Sequence, residues 1–307
     1  MLKGALTLGG AMVTIGRTAA ISLAASPYRP FSDVSEWTRS LPADAPIDAA
    51  SALMISSLKA MNPSKPFPKL TIGSWAEPIY WASSGDPWYP VTGWPVPSIR
   101  IPLGAKPAPT SDGQMTVFDL ENDWVIKLTK ASFDGGTWTS QGKEWYRLSS
   151  NGLARTLPES DDQRNTGHRG YPCALHGVRW DEVQAGQIAH VLKVALATTA
   201  PFHVYPGAGD QGGTGTIPQG AILRIKPAVD LGSRNLDAAA RTIANAIQAY
   251  GVVVGDQGGV PMALKLEGLE TEGRPERWSQ VGLSSTSFAG KISFDDFEVI
   301  ELGYHRP

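Results

Sequence analysis

Residues 235–259 read NLDAAARTIANAIQAYGVVVGDQGG, and they predict a helix followed by a strand at the centre of the fold. Their first part has apolar residues at three- and four-residue spacing, the pattern of an amphipathic helix. This stripe consists of Leu236, Ala239, Ala240, Ile243, Ile247 and Tyr250. We expect Asn235 to cap the helix N-terminus, where the helix dipole also favours Asp237. We expect Gly251 to end the helix in the left-handed conformation.

A valine strand follows this helix in the sequence. Residues 252–254 are all valine, which predicts a buried strand, and the glycine-rich residues 255–259 end it. Turn-forming residues interrupt the rest of the chain frequently, as in a β protein. The 307 residues include 33 Gly, 24 Pro and ten Trp. That composition is typical of a loop-rich β-sandwich or barrel. We therefore expect the helix to pack on a sheet.

Composition and charge exclude several classes of protein. An apolar content of 42% is enough for a sizeable core. A net charge of −2 and a pI near 6.2 argue against a surface that binds nucleic acid or anionic membranes. Cys173 is the sole cysteine, so the chain has no internal disulfide. Its sequence context favours a small buried hydrophobe over a nucleophile.

The N-terminal residues 1–25 are apolar and rich in Gly and Ala, with Lys3 and Arg17 as their charges. Their uninterrupted apolar run is too short to span a bilayer. Two interpretations stay open. The segment is either a retained arm embedded in an assembly or a signal peptide that is cleaved after the small residues 22–24. We place the retained arm first.

The region between this segment and residue 110 is predicted to be mostly irregular. Residues 26–46 form an extended connector, and residues 47–61 have the spacing of a short helix that stops before Asn62-Pro63. Residues 63–110 are too dense in proline for a regular helix.

Residues 111–302 show strand patterns separated by turns. Residues 114–120, 124–128, 137–139 and 143–148 predict a four-stranded antiparallel meander. Residues 187–197 predict a strand that places His190 on an apolar face with Ile188, Leu192, Val194 and Leu196. Further strands are predicted at 221–226, 262–267 and 297–302.

These elements predict a mostly β fold. We expect a jelly-roll-like antiparallel β-sandwich over residues 70–307, with one packed amphipathic helix at 235–250. An extended N-terminal arm, a connector and a short helix over residues 1–69 precede it.

Several turn and strand motifs carry a resemblance. They are Asp86-Pro87-Trp88 and the segments 101–105, 111–117, 186–192, 217–220 and 250–259, which together cover roughly residues 86–265. In these segments the chain resembles a group of Trp-rich proteins of actinobacteria and their phages that has no established activity. The resemblance implies a β-sandwich and a virion role, as a phage minor tail protein.

Four tryptophans in loop-like sequence are candidate ligand-binding residues: Trp75, Trp81, Trp88 and Trp94. Carbohydrate sites stack the apolar face of a sugar on an aromatic ring, and tryptophan offers the largest face. The alternative is that these side chains attach irregular loops to the core. His168 and Arg169, in an irregular polar segment, are candidates for contact with an acidic sugar.

Four residues are candidate catalytic groups if the protein is an enzyme. His190 can act as the general base of a polysaccharide lyase with Tyr205 as the proton donor, but its apolar face favours a hydrogen-bonded core histidine. Asp112 and Asp256 can form a carboxylate pair for glycoside hydrolysis, or bind Ca²⁺. Each aspartate stands beside a glycine or glutamine in a turn-like context, so the alternative is a turn residue.

Two functions from different classes remain. The first is a virion tail protein that is part of an oligomer, binds other tail proteins through its N-terminal arm and contacts host envelope polysaccharide. The second is a secreted carbohydrate-active enzyme, a polysaccharide lyase or glycoside hydrolase. The sequence contains no HExxH, paired CxxC, GxSxG or GxGxxG motif. We expect no cofactor and no resident metal, and from the charge and the short apolar run we expect no nucleic-acid partner and no membrane span. We place the virion protein first because no catalytic signature emerges and we expect the N-terminal arm to be retained.

Overall fold

The computed structural model describes residues 27–94, 96, 98–269 and 277–307. The predicted N-terminal arm, residues 1–25, lies outside these residues. The described helices are α1 (Ser51–Met61), α2 (Trp180–Ala185), α3 (Ala238–Ala249) and α4 (Arg277–Gln280). The described strands are β1 (Lys69–Thr71), β2 (Ile79–Ala82), β3 (Trp88–Tyr89), β4 (Ile99–Arg100), β5 (Met115–Asp119), β6 (Trp124–Thr129), β7 (Ser132–Phe133), β8 (Trp138–Thr139), β9 (Gly142–Arg147), β10 (Leu192–Leu196), β11 (Ile222–Ile225), β12 (Val252–Gln257), β13 (Met262–Lys265) and β14 (Phe297–Val299).

The chain is β-rich, as predicted, and its two larger sheets are both mixed. One sheet has the order β1-β13-β10-β12-β11-β14, with β1–β13 and β10–β12 parallel and the other pairs antiparallel. The other has the order β2-β5-β6-β9, with β2 parallel to β5. Most strand pairs are antiparallel, as expected, but long connections bring β1, β2 and β10 beside strands of the same direction.

The predicted meander is correct for three of its four strands. β5, β6 and β9 pair in antiparallel order, but the segment between β6 and β9 leaves the sheet. It forms a separate hairpin of β7 and β8. The hairpin packs Trp138 into the core of the smaller sheet.

Helix α3 confirms the central prediction. Of its predicted apolar stripe, all but the half-buried Tyr250 are buried, and the helix lies against β11. Gly251 follows the helix with a φ of 75°, the left-handed conformation that favours glycine. Asn235 is not the N-cap, because it ends a preceding 3₁₀ turn in the left-handed conformation. Asp237 takes the N-cap position instead.

The valine strand is buried on both faces. Val252 and Val254 pack in the larger core with α3, whereas Val253 packs in a second core with Phe118, Val125 and other residues of the smaller sheet. Side chains of a strand alternate between its two faces. β12 therefore lies between the helical core and the smaller sheet, which is why its sequence is continuously apolar.

Helix α1 packs on this framework. Met54, Ile55 and Leu58 of α1 belong to the same core as α3, and the contacts of α1 include β14. β1 begins at Lys69, at the predicted boundary between the N-terminal region and the sandwich. The division at that boundary and the jelly-roll arrangement stay predictions. Among the residues that the structure describes, no helix has the length and apolarity needed to cross a membrane.

Replacing Ile243 by Asp should place an unpaired carboxylate among apolar side chains, because Ile243 is fully buried in α3. We expect the free energy of unfolding to fall by about 3–5 kcal/mol. Urea unfolding would measure it. Asn245→Asp is the matched control, since it introduces the same residue at an exposed position of the same helix. Equal midpoints for the two variants would contradict the central position of α3.

Candidate functional site

A cavity of about 530 Å³ lies beside the face of the six-stranded sheet opposite α3. A second recess of about 370 Å³ shares much of its lining. The shared residues are Asp112, Lys127, His176, Lys193, Asp256, Gln257 and Lys265. We call the two spaces together the lysine cleft. Four lysines line its larger part: Lys69, Lys127, Lys193 and Lys265.

Strand alternation brings three of these lysines to one face. Lys193 follows Leu192 in β10, Lys265 follows Leu264 in β13, and Lys69 precedes Leu70 in β1. The leucines point into the core with α3. Because neighbouring side chains point to opposite faces, the lysines point into the cleft.

A β-bulge turns Asp256 toward the same cleft. Val194 pairs with Val254, but the next residue, Ala195, pairs with Asp256, so Gly255 is an extra residue in β12. An extra residue reverses the alternation beyond it. Asp256 would otherwise share the face of Val254 in the apolar core. With the bulge, its side chain joins the lysines.

Gly255 also makes room for a lysine side chain. A Cβ placed there would lie 2.6 Å from Cε and 2.9 Å from Cγ of Lys193. Such distances are far inside van der Waals contact. The bulge residue therefore has to be glycine for the Lys193 side chain to keep its path.

A buried chain of polar side chains forms the floor of the cleft. Lys127 Nζ lies 3.0 Å from both carboxylate oxygens of Glu77 and 2.6 Å from His176 Nδ1. Lys193 Nζ lies 3.2 Å from His176 Nε2. Thr116 donates a hydrogen bond of 2.8 Å to Glu77. All of these side chains are less than a tenth exposed.

The ion pair of this chain has opposite pKa shifts in its two members. Burial alone would raise the pKa of Glu77, but Lys127 and Lys265 outweigh it and hold that pKa below its usual value. Burial alone would lower the pKa of Lys127, but Glu77 and Glu144 hold it above its usual value. Both groups are therefore charged at neutral pH.

His176 and Glu144 respond mainly to burial. Burial and the nearby Lys127 and Lys193 bring the pKa of His176 well below its usual value, so the ring is neutral. Burial raises the pKa of Glu144, although the same lysines oppose the shift. Glu144 Oε2 is buried and accepts no hydrogen bond within the described part of the chain. That oxygen lies 3.7 Å from His176 Nε2.

Asp256 is the carboxylate at which the predicted site residues meet. Arg169 Nη1 lies 3.2 Å from its Oδ1, and His168 Nε2 lies 3.7 Å from the same oxygen. Burial alone would raise the pKa of Asp256, but Lys193 and His168 bring it below its usual value. Asp256 is thus a carboxylate that faces the guanidinium of Arg169 and the amine of Lys193.

Asp112 and Asp256 line the same cleft, as the carboxylate-pair hypothesis requires. Asp112 is also a turn residue, since Gly113 follows it with a φ of 46°. Trp75 is half exposed and lines the larger cavity. His168 lines the smaller recess. The structure thus brings together five of the predicted site residues: Trp75, Asp112, His168, Arg169 and Asp256.

The predicted base and acid of a lyase lie elsewhere. β10 begins at Leu192, so the predicted strand over 187–197 was wrong in its first half. His190 is buried before that strand and lies 2.6 Å from Glu182 Oε1, a contact that sequence alternation cannot show. Tyr205 stacks on His305 with ring centroids 3.8 Å apart. Neither His190 nor Tyr205 lines the cleft described above.

The other three predicted tryptophans attach loops and edges to the fold. Trp81 stacks on Phe118, with 4.5 Å between centroids. Trp88 lies in the β3–β4 hairpin, 4.9 Å beneath the guanidinium of Arg100. Trp94 is buried in the core of the smaller sheet. Only Trp75 of the four lines the larger cavity.

The lysines are the residues that the sequence interpretation missed. Each of these lysines is next to a leucine in a short strand. In a half-buried strand a lysine in such a pattern usually faces solvent, so the pattern does not indicate a binding site. One pattern could have indicated the site: three short strands each place a lysine next to a buried leucine, although the net charge of the chain is negative.

No protein-family model, curated protein or solved structure matches this chain. The described residues also contain no group of three or more His, Cys, Asp or Glu arranged to hold a metal ion.

The neutral His176 makes the fold sensitive to acid. Its pKa is lowered in the folded state, so below about pH 6.5 the unfolded chain binds a proton that the folded chain does not. Stability should therefore fall as the pH falls below that value, by at most about 1.4 kcal/mol per pH unit for this group. His176→Asn, whose Oδ1 can accept from Lys127, should reduce the loss measured by urea unfolding. His305→Asn controls for removing an exposed histidine elsewhere. A loss unchanged by His176→Asn would contradict a neutral His176.

Proposed function

We propose that the lysine cleft binds an acidic sugar residue of a polysaccharide. The observation that carries this proposal is the gathering of four lysines on one cavity whose own carboxylates are Asp112 and Asp256. Glu77 neutralises Lys127 and Arg169 neutralises Asp256, so Lys69 and Lys265 leave the cavity with an excess of positive charge over Asp112. An anionic ligand can compensate it.

The rest of the lining suits hydroxyl groups. Gln257 lines both spaces, and Gln114, Gln141 and Gln211 line the smaller recess. Amide groups both donate and accept hydrogen bonds, which matches the hydroxyls of a sugar ring. The exposed ring of Trp75 supplies an apolar face at the same cavity. Charge, amides and one aromatic ring together favour an acidic sugar over a simple inorganic anion.

This binding activity fits the first of the two functions drawn from the sequence. In that proposal the protein is a phage minor tail component, and the cleft contacts an acidic polysaccharide of the host envelope. Its support is the resemblance over residues 86–265 together with the charge of the cleft. Docking of the arm in an assembly stays a prediction, because residues 1–25 lie outside the described residues.

The alternative, a carbohydrate-active enzyme, is favoured by a specific observation. Asp112, Asp256 and Lys193 line one cavity, so a carboxylate and an amine are available for acid–base work on a bound sugar. In this form the alternative no longer uses His190 and Tyr205.

Binding of trigalacturonate and of its fully methyl-esterified form would test the proposal. The two ligands share a backbone and differ in charge, so we expect the acid to bind and the ester to bind about tenfold or more weakly. Isothermal titration would measure both affinities, and added salt should weaken only the acid. Equal affinities would contradict an electrostatic site. An unsaturated or shortened product would favour the enzyme over the tail protein.

Lys265→Gln should weaken trigalacturonate binding by about tenfold to a hundredfold, because it removes one partly exposed cation from the cavity. Lys106→Gln is the matched control, since Lys106 is exposed and lines neither space. Thermal unfolding checks that both variants fold. An equal loss in the two variants would mean that only the overall charge matters.

Trp75→Ala should also weaken trigalacturonate binding, by loss of the apolar face rather than of charge. The matched control is Trp88→Ala, which removes an equally exposed indole outside the cavity. Titration at high and low salt separates the two effects, since the loss at Trp75 should persist in both. Unchanged binding by Trp75→Ala would remove this ring from the site.

A further inference from the structure

His176 lies between two lysine side chains, one at each ring nitrogen. Nδ1 is 2.6 Å from Lys127 Nζ, and Nε2 is 3.2 Å from Lys193 Nζ. A neutral imidazole has one N–H donor and one acceptor nitrogen. It can therefore accept a hydrogen bond from only one of two ammonium groups. The second lysine can hydrogen-bond to the ring only if its own amine is neutral and accepts the ring N–H.

Lys127 is the lysine that keeps its charge. Both oxygens of the fully buried Glu77 lie 3.0 Å from its Nζ. Removing the proton from Lys127 would leave a buried carboxylate without its main partner, which is costly. His176 Nδ1 therefore accepts from Lys127, and Nε2 carries the ring hydrogen. Lys193 Nζ can accept that hydrogen only as a neutral amine.

Two weaker contacts favour the charged form of Lys193. Asp256 Oδ2 lies 3.7 Å away, which is too long for a direct hydrogen bond, and the same carboxylate faces Arg169. The ring of Tyr171 lies 5.8 Å from Nζ. The charged and titratable groups around Lys193 are Lys127 of β6, Glu144 of β9, Asp256 of β12, Lys265 of β13, and His168, Tyr171 and His176 before α2. Burial, with Lys127 and Lys265, lowers the pKa of Lys193.

We propose that Lys193 is a nucleophilic amine that forms an imine with a small carbonyl compound bearing a carboxylate, of the 2-oxo acid class. A buried lysine beside other cations is a recognised form of activated nucleophile. Lys193 lines both parts of the cleft, so a ligand can reach it. Lys69 and Lys265 line the larger part and can hold the carboxylate. The proposal uses the same cleft as the sugar site but does not rest on sugar binding.

The bond changes are those of imine formation. Rotation of the amine breaks the hydrogen bond from His176, and the freed nitrogen lone pair of Lys193 attacks the carbonyl carbon while the carbonyl π electrons move to oxygen. Asp256 carries one proton from the nitrogen to that oxygen, and Glu144, whose carboxyl group lines the recess, supplies a second. The oxygen leaves as water while the nitrogen lone pair completes a protonated C=N bond. No oxidant or reductant takes part.

Reductive trapping would test the proposal on the full chain. The protein is incubated with pyruvate and sodium cyanoborohydride, and the reduced adducts are located by peptide mass mapping. We expect labelling at Lys193 to exceed labelling at the exposed Lys106 by about tenfold or more at neutral pH, because an unactivated lysine is almost fully protonated there. Methyl pyruvate, which lacks the charge, should show a smaller ratio. Equal labelling of the two lysines would overturn the proposal.

Two sets of variants connect the labelling to the geometry. Lys193→Met should abolish the dominant adduct, whereas Lys106→Met should leave it. The double variant Glu77→Gln with Lys127→Met removes both members of the ion pair, so that His176 is free to accept from a charged Lys193. Its labelling at Lys193 should begin at higher pH than in the parent protein. A parent-like pH profile in this variant would overturn the role given to Lys127 and His176.

The outcomes separate this inference from the proposed sugar binding. Trapping at Lys193 without trigalacturonate binding would support the amine and reject the sugar site. Sugar binding without preferential trapping would do the reverse. If both occur, trigalacturonate should protect Lys193 from labelling, because both ligands need the same cavity.

Discussion

The ion pair between Glu77 and Lys127 holds the two sheets in their relative positions. Glu77 bonds through its backbone to Leu266, beyond β13, while its side chain contacts Lys127 of β6 and Thr116 of β5. Removing one member of a buried pair leaves an uncompensated charge, at a cost of about 3–5 kcal/mol. This pair therefore fixes the floor of the cleft, and the position of His176 follows from it. The protonation of Lys193 depends in turn on His176.

The pair also explains why the cleft is polar although it lies between two apolar cores. The larger core packs around α3 and the core of the smaller sheet packs around Trp138, while His176 contacts Lys127 of one sheet and Lys193 of the other. A buried charge network of this kind is seldom the most stable filling of such a space, since apolar residues of similar volume usually do as well or better. Its presence supports a role in binding or catalysis.

The sequence predicted well those elements whose apolar residues must be buried whatever their neighbours are. Helix α3 and strand β12 were predictable because Ile243 and Val253 need burial wherever the chain places them. Lys193 was not predictable, because its role requires a second sheet on the outer face of β10. His190 was assigned to a strand by alternation with Ile188, but its partner is Glu182. The pairing of Asp112 and Asp256 was proposed only conditionally, because long-range strand order decides it.

The bulge at Gly255 divides strand β12 between two environments. Up to Val254 the strand belongs to the apolar interior, and from Asp256 onward it belongs to the cleft. What divides the two is the number of residues, not their chemical type. If the same residues alternated regularly, with Gly255 paired to Ala195, the carboxylate of Asp256 would point toward α3. The polarity of the two interiors therefore depends on one unpaired residue as well as on the residue types.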